Sequence, residues 1–340
     1  MTGTPEPPDP TDDAPSGEQP RHPLGLTVFT LEGRAVPALF LVGWLATLIG
    51  LGGTVIAALG GSGLGGVILF AIGTAVLTIG LVAAAGSQAI ERRAAGVTTY
   101  AGPSPVLVFA ASVSSTLFLS AVFGSFLVRL GLNPASPLFT LIGSLIIFVC
   151  YLGLVRLLVV GTGALTWRDL GVGARGRGFA EDAAWGLALA VPVLAVTGAV
   201  AALLSTFLPL PDPVLPPATD PTGVALNLLV AAVIAPIGEE LFFRGFATTA
   251  WARLYGRRRA LIQGAVFFAV AHVLTLTAVD LVEGLKLALF ASVVRLPVAL
   301  TLGWLFLQRR SLVAPIFLHA TYNGLPILAL AAGLGNAPPS

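Results

Sequence analysis

From Arg34 onward the chain is a succession of apolar runs, each close to the ~20 residues that a helix needs to cross a bilayer. Lipid offers nothing to an open backbone, so such runs must close their hydrogen bonds internally as helices. They fall at about 35–59, 66–90, 105–128, 138–160, 183–207, 222–252, 260–278, 287–307 and 311–333. The expected fold is therefore all-α, a polytopic transmembrane helical bundle of eight or nine spans. Composition agrees. Hydrophobic residues make up 56% of the chain and charged residues 10%, with a mean hydropathy of +0.93. A soluble domain carries about 25% charged residues.

Charge is unevenly distributed. Residues 1–33 hold Glu6, Asp9, Asp12, Asp13, Glu18 and Glu32 and little that could build a core. They are expected to be a disordered acidic tail. The opening residues lack the basic segment and apolar core of a signal peptide. Beyond the tail the chain is more basic than its net charge of +2 implies. One set of alternate connections carries Arg92 and Arg93; Arg168, Arg175 and Arg177; Arg253 with Arg257, Arg258 and Arg259; and Arg309 with Arg310. The other set has a Gly-rich turn at 60–66, Arg129, a Pro-rich loop at 209–221 without Lys or Arg, and a turn with Lys286. The positive-inside rule puts the first set, and the N-terminus, in the cytoplasm of a multi-pass cell-membrane protein. With nine spans the C-terminus would lie outside. No basic patch with interleaved aromatics suggests a nucleic acid. Cys150 is the single cysteine, so neither a disulfide framework nor a Cys-based zinc site is expected. Gly61–Gly66 formally matches GxGxxG, but it follows a membrane helix rather than a strand and is expected to be a tight turn.

Against this apolar background, Ala235–Gly245 reads APIGEELFFRG. An ionisable group at membrane depth costs roughly 2.5–3.5 kcal/mol on insertion scales and usually marks function. Glu240 and Arg244 are four apart with the acid first, the favoured order for an ion pair on a helix. That pairing leaves Glu239, turned about 100° away, free for chemistry. His272 and His319 lie in later apolar runs. Phe268 precedes His272 by four residues and Asn323 follows His319 by four, so each pair shares a helix face. Counting from the arginine-rich ends at ~1.5 Å per residue puts Glu239 about 24 Å deep, His272 and Asn323 about 18 Å, and His319 about 12 Å. One shared band, nearer the cytoplasmic mouth, is the expectation. Taken singly, His272 or Asn323 reads as an interhelical hydrogen bonder and Phe268 as packing. Arg295, just before Pro297, is expected to snorkel to the outer interface, with a reach toward the site as the alternative.

EE-x-x-x-R (Glu239, Glu240, Arg244), F-x-x-x-H (Phe268, His272) and H-x-x-x-N (His319, Asn323), in this order, resemble the CPBP family, the CAAX prenyl endopeptidase and bacteriocin-processing intramembrane proteases, also called the Abi family. The resemblance covers about 220–333, and divides the chain into the tail (1–33), spans without an assignable motif (34–210) and a protease-like core (220–335). It implies hydrolysis of a peptide bond in a membrane-embedded or lipidated peptide or protein at the bilayer. By position Glu239 would be the general base, His272 would hold and polarise water, and His319 and Asn323 would stabilise the oxyanion; Glu240, Arg244 and Phe268 would be structural support. No cofactor is the expectation, because no H-E-x-x-H pair announces a metal; zinc on Glu239, His272 and His319 is the alternative. Two other functions stay open: a non-catalytic immunity or scaffold protein of the same fold, and a proton-coupled transporter. The transporter would show polar residues in both halves, and here the early spans carry almost none.

Overall fold

The computed structural model describes residues 31, 33–60, 63–173, 178–218 and 220–333. The expected acidic tail, except Leu31 and Gly33, lies outside the described residues, as do His22, Gly61, Ser62, Arg175 and Arg177. The helices are α1 (Pro37–Leu59), α2 (Leu64–Ala94), α3 (Pro105–Arg129), α4 (Pro137–Val160), α5 (Phe179–Leu204) and α6 (Pro221–Tyr255). They are followed by α7 (Arg257–Ala271), α8 (Leu281–Arg309) and α9 (Val313–Ala331). No strand occurs among the described residues. The chain is an all-α, multi-pass membrane protein.

Eight of these helices are long and apolar enough to cross a membrane. The exception, α7, is too short to cross by itself, so eight of the nine apolar runs form full-length spans. The run at 260–278 becomes a 15-residue helix with three arginines at its start. It rises only about 22 Å, short of the ~30 Å hydrocarbon core. A single 3₁₀ turn, His272–Thr275, ends it. The ambiguous stretch 279–295 belongs to α8, whose start is set by Asp280: its side chain accepts from the Glu283 amide at 2.8 Å. Proline opens α1, α3, α4 and α6, where its missing N–H costs no helical bond.

The arginines gather at one end of the bundle. Arg34 pairs with Glu91 (2.7 Å), and so joins the start of α1 to the end of α2. Arg93 donates to the Thr162 carbonyl (2.5 Å), Arg253 pairs with Asp169 (2.6 Å), and Arg309 pairs with Asp182 (2.6 Å) and Glu181 (2.8 Å). Arg257 donates to the Leu307 carbonyl (2.5 Å), so α7 starts beside the end of α8. The turn after α1, the Pro-rich loop after α5 and the end of α9 lie at the opposite end.

Burial rises toward α6. The hairpin of α1 and α2 is held by small residues: a Cβ on Gly73 would lie 2.6 Å from the Thr54 amide nitrogen. Such close backbone approach replaces the hydrophobic drive that lipid removes. Its outer side chains, such as Ile49, Ile56 and Ile79, stay exposed, as lipid-facing residues should. In α6, by contrast, every residue from Glu240 to Thr248 is buried. Phe242, Phe243 and Phe246 there pack with Phe109 of α3, Tyr151 of α4 and Phe267 of α7; the Tyr151 and Phe242 rings stack at 4.6 Å.

Candidate active site

Two wide turns shape α6. Pro236 has no N–H to complete an ordinary helical turn, and its ring crowds the preceding one. The helix answers with a π turn at Val230–Ile234. A second, longer π segment runs from Glu240 to Thr248, where the Thr248 hydroxyl bonds back to the Phe243 carbonyl at 2.9 Å. Glu239 sits between them. π turns leave carbonyls poorly matched, and one of these, on Ala231, accepts from Asn323 Nδ2 of α9 at 3.0 Å. Asn323 therefore ties α9 to α6 while it also lines the cavity described below.

Glu240 is the buried anchor. Its carboxylate is fully buried, and Oε1 accepts from Arg244 Nη1 at 2.9 Å, the i,i+4 pair that the spacing implies. The same oxygen lies 2.7 Å from Nδ1 of His319. A carboxylate can only accept here, so Nδ1 carries the hydrogen and Nε2 is turned elsewhere. Arg244 is held on two further sides. It donates to the Ala299 carbonyl of α8 at 3.4 Å, and its guanidinium lies 4.1 Å from the centre of the Phe268 ring. Phe268 in turn touches both imidazoles, with ring centres 4.6 Å from His272 and 5.8 Å from His319.

His272 ends α7, and its Nδ1 lies 2.7 Å from the Phe268 carbonyl. A carbonyl can only accept, so this nitrogen is the donor as well. Both histidines are thus fixed through Nδ1 and present Nε2 to the same atom. Glu239 Oε2 is 3.7 Å from His272 Nε2 and 3.9 Å from His319 Nε2. It is buried and has no hydrogen-bond partner. These gaps exceed a direct hydrogen bond and are of the size that a water bridges between the carboxylate and an imidazole. They also exceed the ~3.4 Å between neighbouring donors of a tetrahedral zinc site. Among the described residues no group of three or more His, Cys, Asp or Glu side chains is arranged to hold a metal.

These groups lie at the inner end of a cavity of about 640 Å³. Its walls are mostly apolar and come from α4, α5, α6, α7 and the turn after it, α8 and α9, with Pro211, Pro213, Val214 and Leu215 of the Pro-rich loop. The cavity therefore opens toward the end of the bundle away from the arginines. Counting residues from the arginine-rich end gave the depth of each side chain, but not which way the hollow between them opens. Arg295 corrects an expectation. It does not snorkel to an interface but lines the cavity, with Nη1 donating to the Ala291 carbonyl one turn back at 2.9 Å. Tyr151 and Tyr322 also line it. Arg295 had a signal in the sequence, a lone cation in an apolar run; the tyrosines had none. The link from Glu240 to His319 joins residues 79 apart and had none either.

Neither the curated proteins nor the solved structures include a match to the chain. Residues 221–325 match the family model described as Type II CAAX prenyl endopeptidase Rce1-like, the stretch that also carries the three motifs.

Proposed function

We propose that this chain is an intramembrane endopeptidase that uses Glu239 and His272 to activate water against a peptide bond of a membrane-embedded or lipidated substrate. The observation that carries the proposal is the convergence of two imidazole Nε2 atoms on one unpartnered carboxylate oxygen at the end of an apolar cavity. A carboxylate within reach of a water and of two fixed nitrogens meets the geometric requirement for general-base catalysis.

In the proposed reaction Glu239 takes a proton from water as its oxygen attacks the carbonyl carbon. His272, with Nδ1 engaged by Phe268, holds that water through Nε2. The tetrahedral oxyanion forms beside His319 and the Asn323 amide. Asn323 has a second N–H to give, since only one hydrogen of Nδ2 is needed for Ala231. His319 can donate through Nε2 only as an imidazolium, and Glu240 on its other side is the counter-ion for that form. Donors aimed at the developing charge each supply about 2.7–4 kcal/mol in comparable sites. The carbon–nitrogen bond then breaks, and the proton held by Glu239 passes to the leaving amine. Glu240, Arg244 and Phe268 are positioning residues in this scheme. No metal is required by it.

The test compares membrane peptides from cells making the wild-type chain, Glu239→Gln or His272→Ala, at equal levels of inserted protein. Fragments present only with the wild-type chain support the proposal. Identical fragments from all three would leave a non-catalytic membrane protein of the same fold as the better description.

A further inference from the structure

The cavity and the arginines occupy opposite ends of the bundle. Thr140 and Ser144 line the cavity from the first turns of α4, Pro326 and Ile327 from the last third of α9, and Pro211–Leu215 from the loop that joins α5 to α6. None of the lining residues comes from the arginine-rich connections at 95–104, 161–178 or 310–312. Toward the arginine end the catalytic layer is sealed. Phe242, Phe246 and Ala247 are fully buried below Glu239, and Leu170 of the 161–178 connection packs so closely on α6 that a Cβ on Gly245 would lie 2.9 Å from its carbonyl oxygen. The buried Glu240–Arg244 pair completes the seal.

The sign of the connections orients these two ends. Arginines border α2, α6, α7 and α8 at the sealed end, whereas the open end carries Arg129 and Lys286 and its Pro-rich loop has neither Lys nor Arg. Such a bias in short connections places the sealed end in the cytoplasm.

We infer that the catalytic cavity opens on the side of the membrane away from the cytoplasm, and that its substrates are peptide segments presented there by exported or outer-leaflet-anchored proteins. The substrate class rests on the protease reading above; the direction of access does not. The apolar walls suit an extended segment entering from the bilayer surface. Arg295 would meet an anionic group on it, since among the described residues no carboxylate lies within ion-pair distance of its guanidinium.

Cysteine accessibility tests the direction. The one native thiol, Cys150, is buried, so the wild-type chain supplies the background. Ser144→Cys reports from inside the cavity, Val214→Cys from the loop at its mouth and Arg258→Cys from the arginine end. Each is exposed to a small membrane-impermeant methanethiosulfonate, in intact cells and in inverted vesicles, and protection is read by later labelling of the denatured protein. The inference expects Ser144→Cys and Val214→Cys to be blocked at least 5-fold faster in intact cells, and Arg258→Cys in inverted vesicles. Blocking of Ser144→Cys from the Arg258 side, or from neither side, overturns it. If hydrolysis failed while this labelling pattern held, the protease reading alone would fall; the reverse pattern of labelling with intact hydrolysis would remove only the outward access.

Discussion

Arg244→Met tests the division of labour between the two adjacent glutamates. Arg244 is 2% exposed and Glu240 is 0% exposed, and the two meet at 2.9 Å. Methionine keeps much of the apolar stem but removes the charge. Glu240 would then hold its negative charge with only His319 as partner. Removing one member of a buried pair typically costs about 3–5 kcal/mol, because the survivor has lost its water without compensation. Loss of the guanidinium over Phe268 adds to this, with cation–π contacts worth about 0.5–2 kcal/mol. At 1.4 kcal/mol per decade, the pair alone corresponds to a fall of two to three and a half decades in the folding constant, roughly. Equilibrium unfolding of the purified protein in mixed micelles would read it. Glu239→Gln is the control. The Glu239 Oε2 has no hydrogen bond to lose, so its stability should stay within about 1 kcal/mol of wild type. A change below about 1 kcal/mol for Arg244→Met, or an equal loss in both variants, would refute the assignment of Glu240 to structure and Glu239 to chemistry.

Three further outcomes are expected. Gly245→Ala would force a Cβ to 2.9 Å from the Leu170 carbonyl, and should cost about 1–3 kcal/mol of stability in the same unfolding assay. Asp169 carries the pH dependence of the arginine end. Burial alone would raise its pKa, but bonds from the Thr166 amide and hydroxyl and from Arg253 outweigh this and hold it below its ordinary 3.8. A depressed carboxylate stabilises the fold above its ordinary value and loses that contribution as pH falls through the folded one. Asp169→Asn should therefore flatten the stability profile from about pH 4 downward and leave its slope above pH 5 unchanged. Peptide release by the purified protein should survive prolonged chelation, with no gain on adding zinc; zinc-restored activity would show that Glu239, His272 and His319 close by several tenths of an ångström around a metal.

Much of this architecture was legible because lipid leaves the chain few choices. Long apolar runs had to be helices, and the rare charges among them stood out. Glu240 and Arg244 could be paired from spacing alone, since a helix turn brings them together whatever surrounds it. What escaped depended on departures from the regular helix or on packing across the chain. The region after Arg259 is apolar enough to suggest a span, yet it breaks at His272, because the 3₁₀ turn and the Asp280 cap end one helix and begin the next. Arg295 was visible as an anomaly, but only the packing of α8 against α6 and α9 decided between lipid surface and cavity. The π turns around Glu239 carry no periodic signature; Pro236 hints at one of them. Depth counts place side chains along their helices but say nothing of which way the hollow between them opens; the Pro-rich loop's place in the wall decides that.

The account stands on water being the nucleophile and on Glu239 activating it. The most direct measurement is hydrolysis of a captured membrane peptide in water enriched in oxygen-18, followed by mass spectrometry of the new C-terminus. The account predicts one heavy oxygen in each new carboxylate from the wild-type protein and no product from Glu239→Gln. Product without heavy oxygen, or labelled product formed equally well by Glu239→Gln, would contradict it.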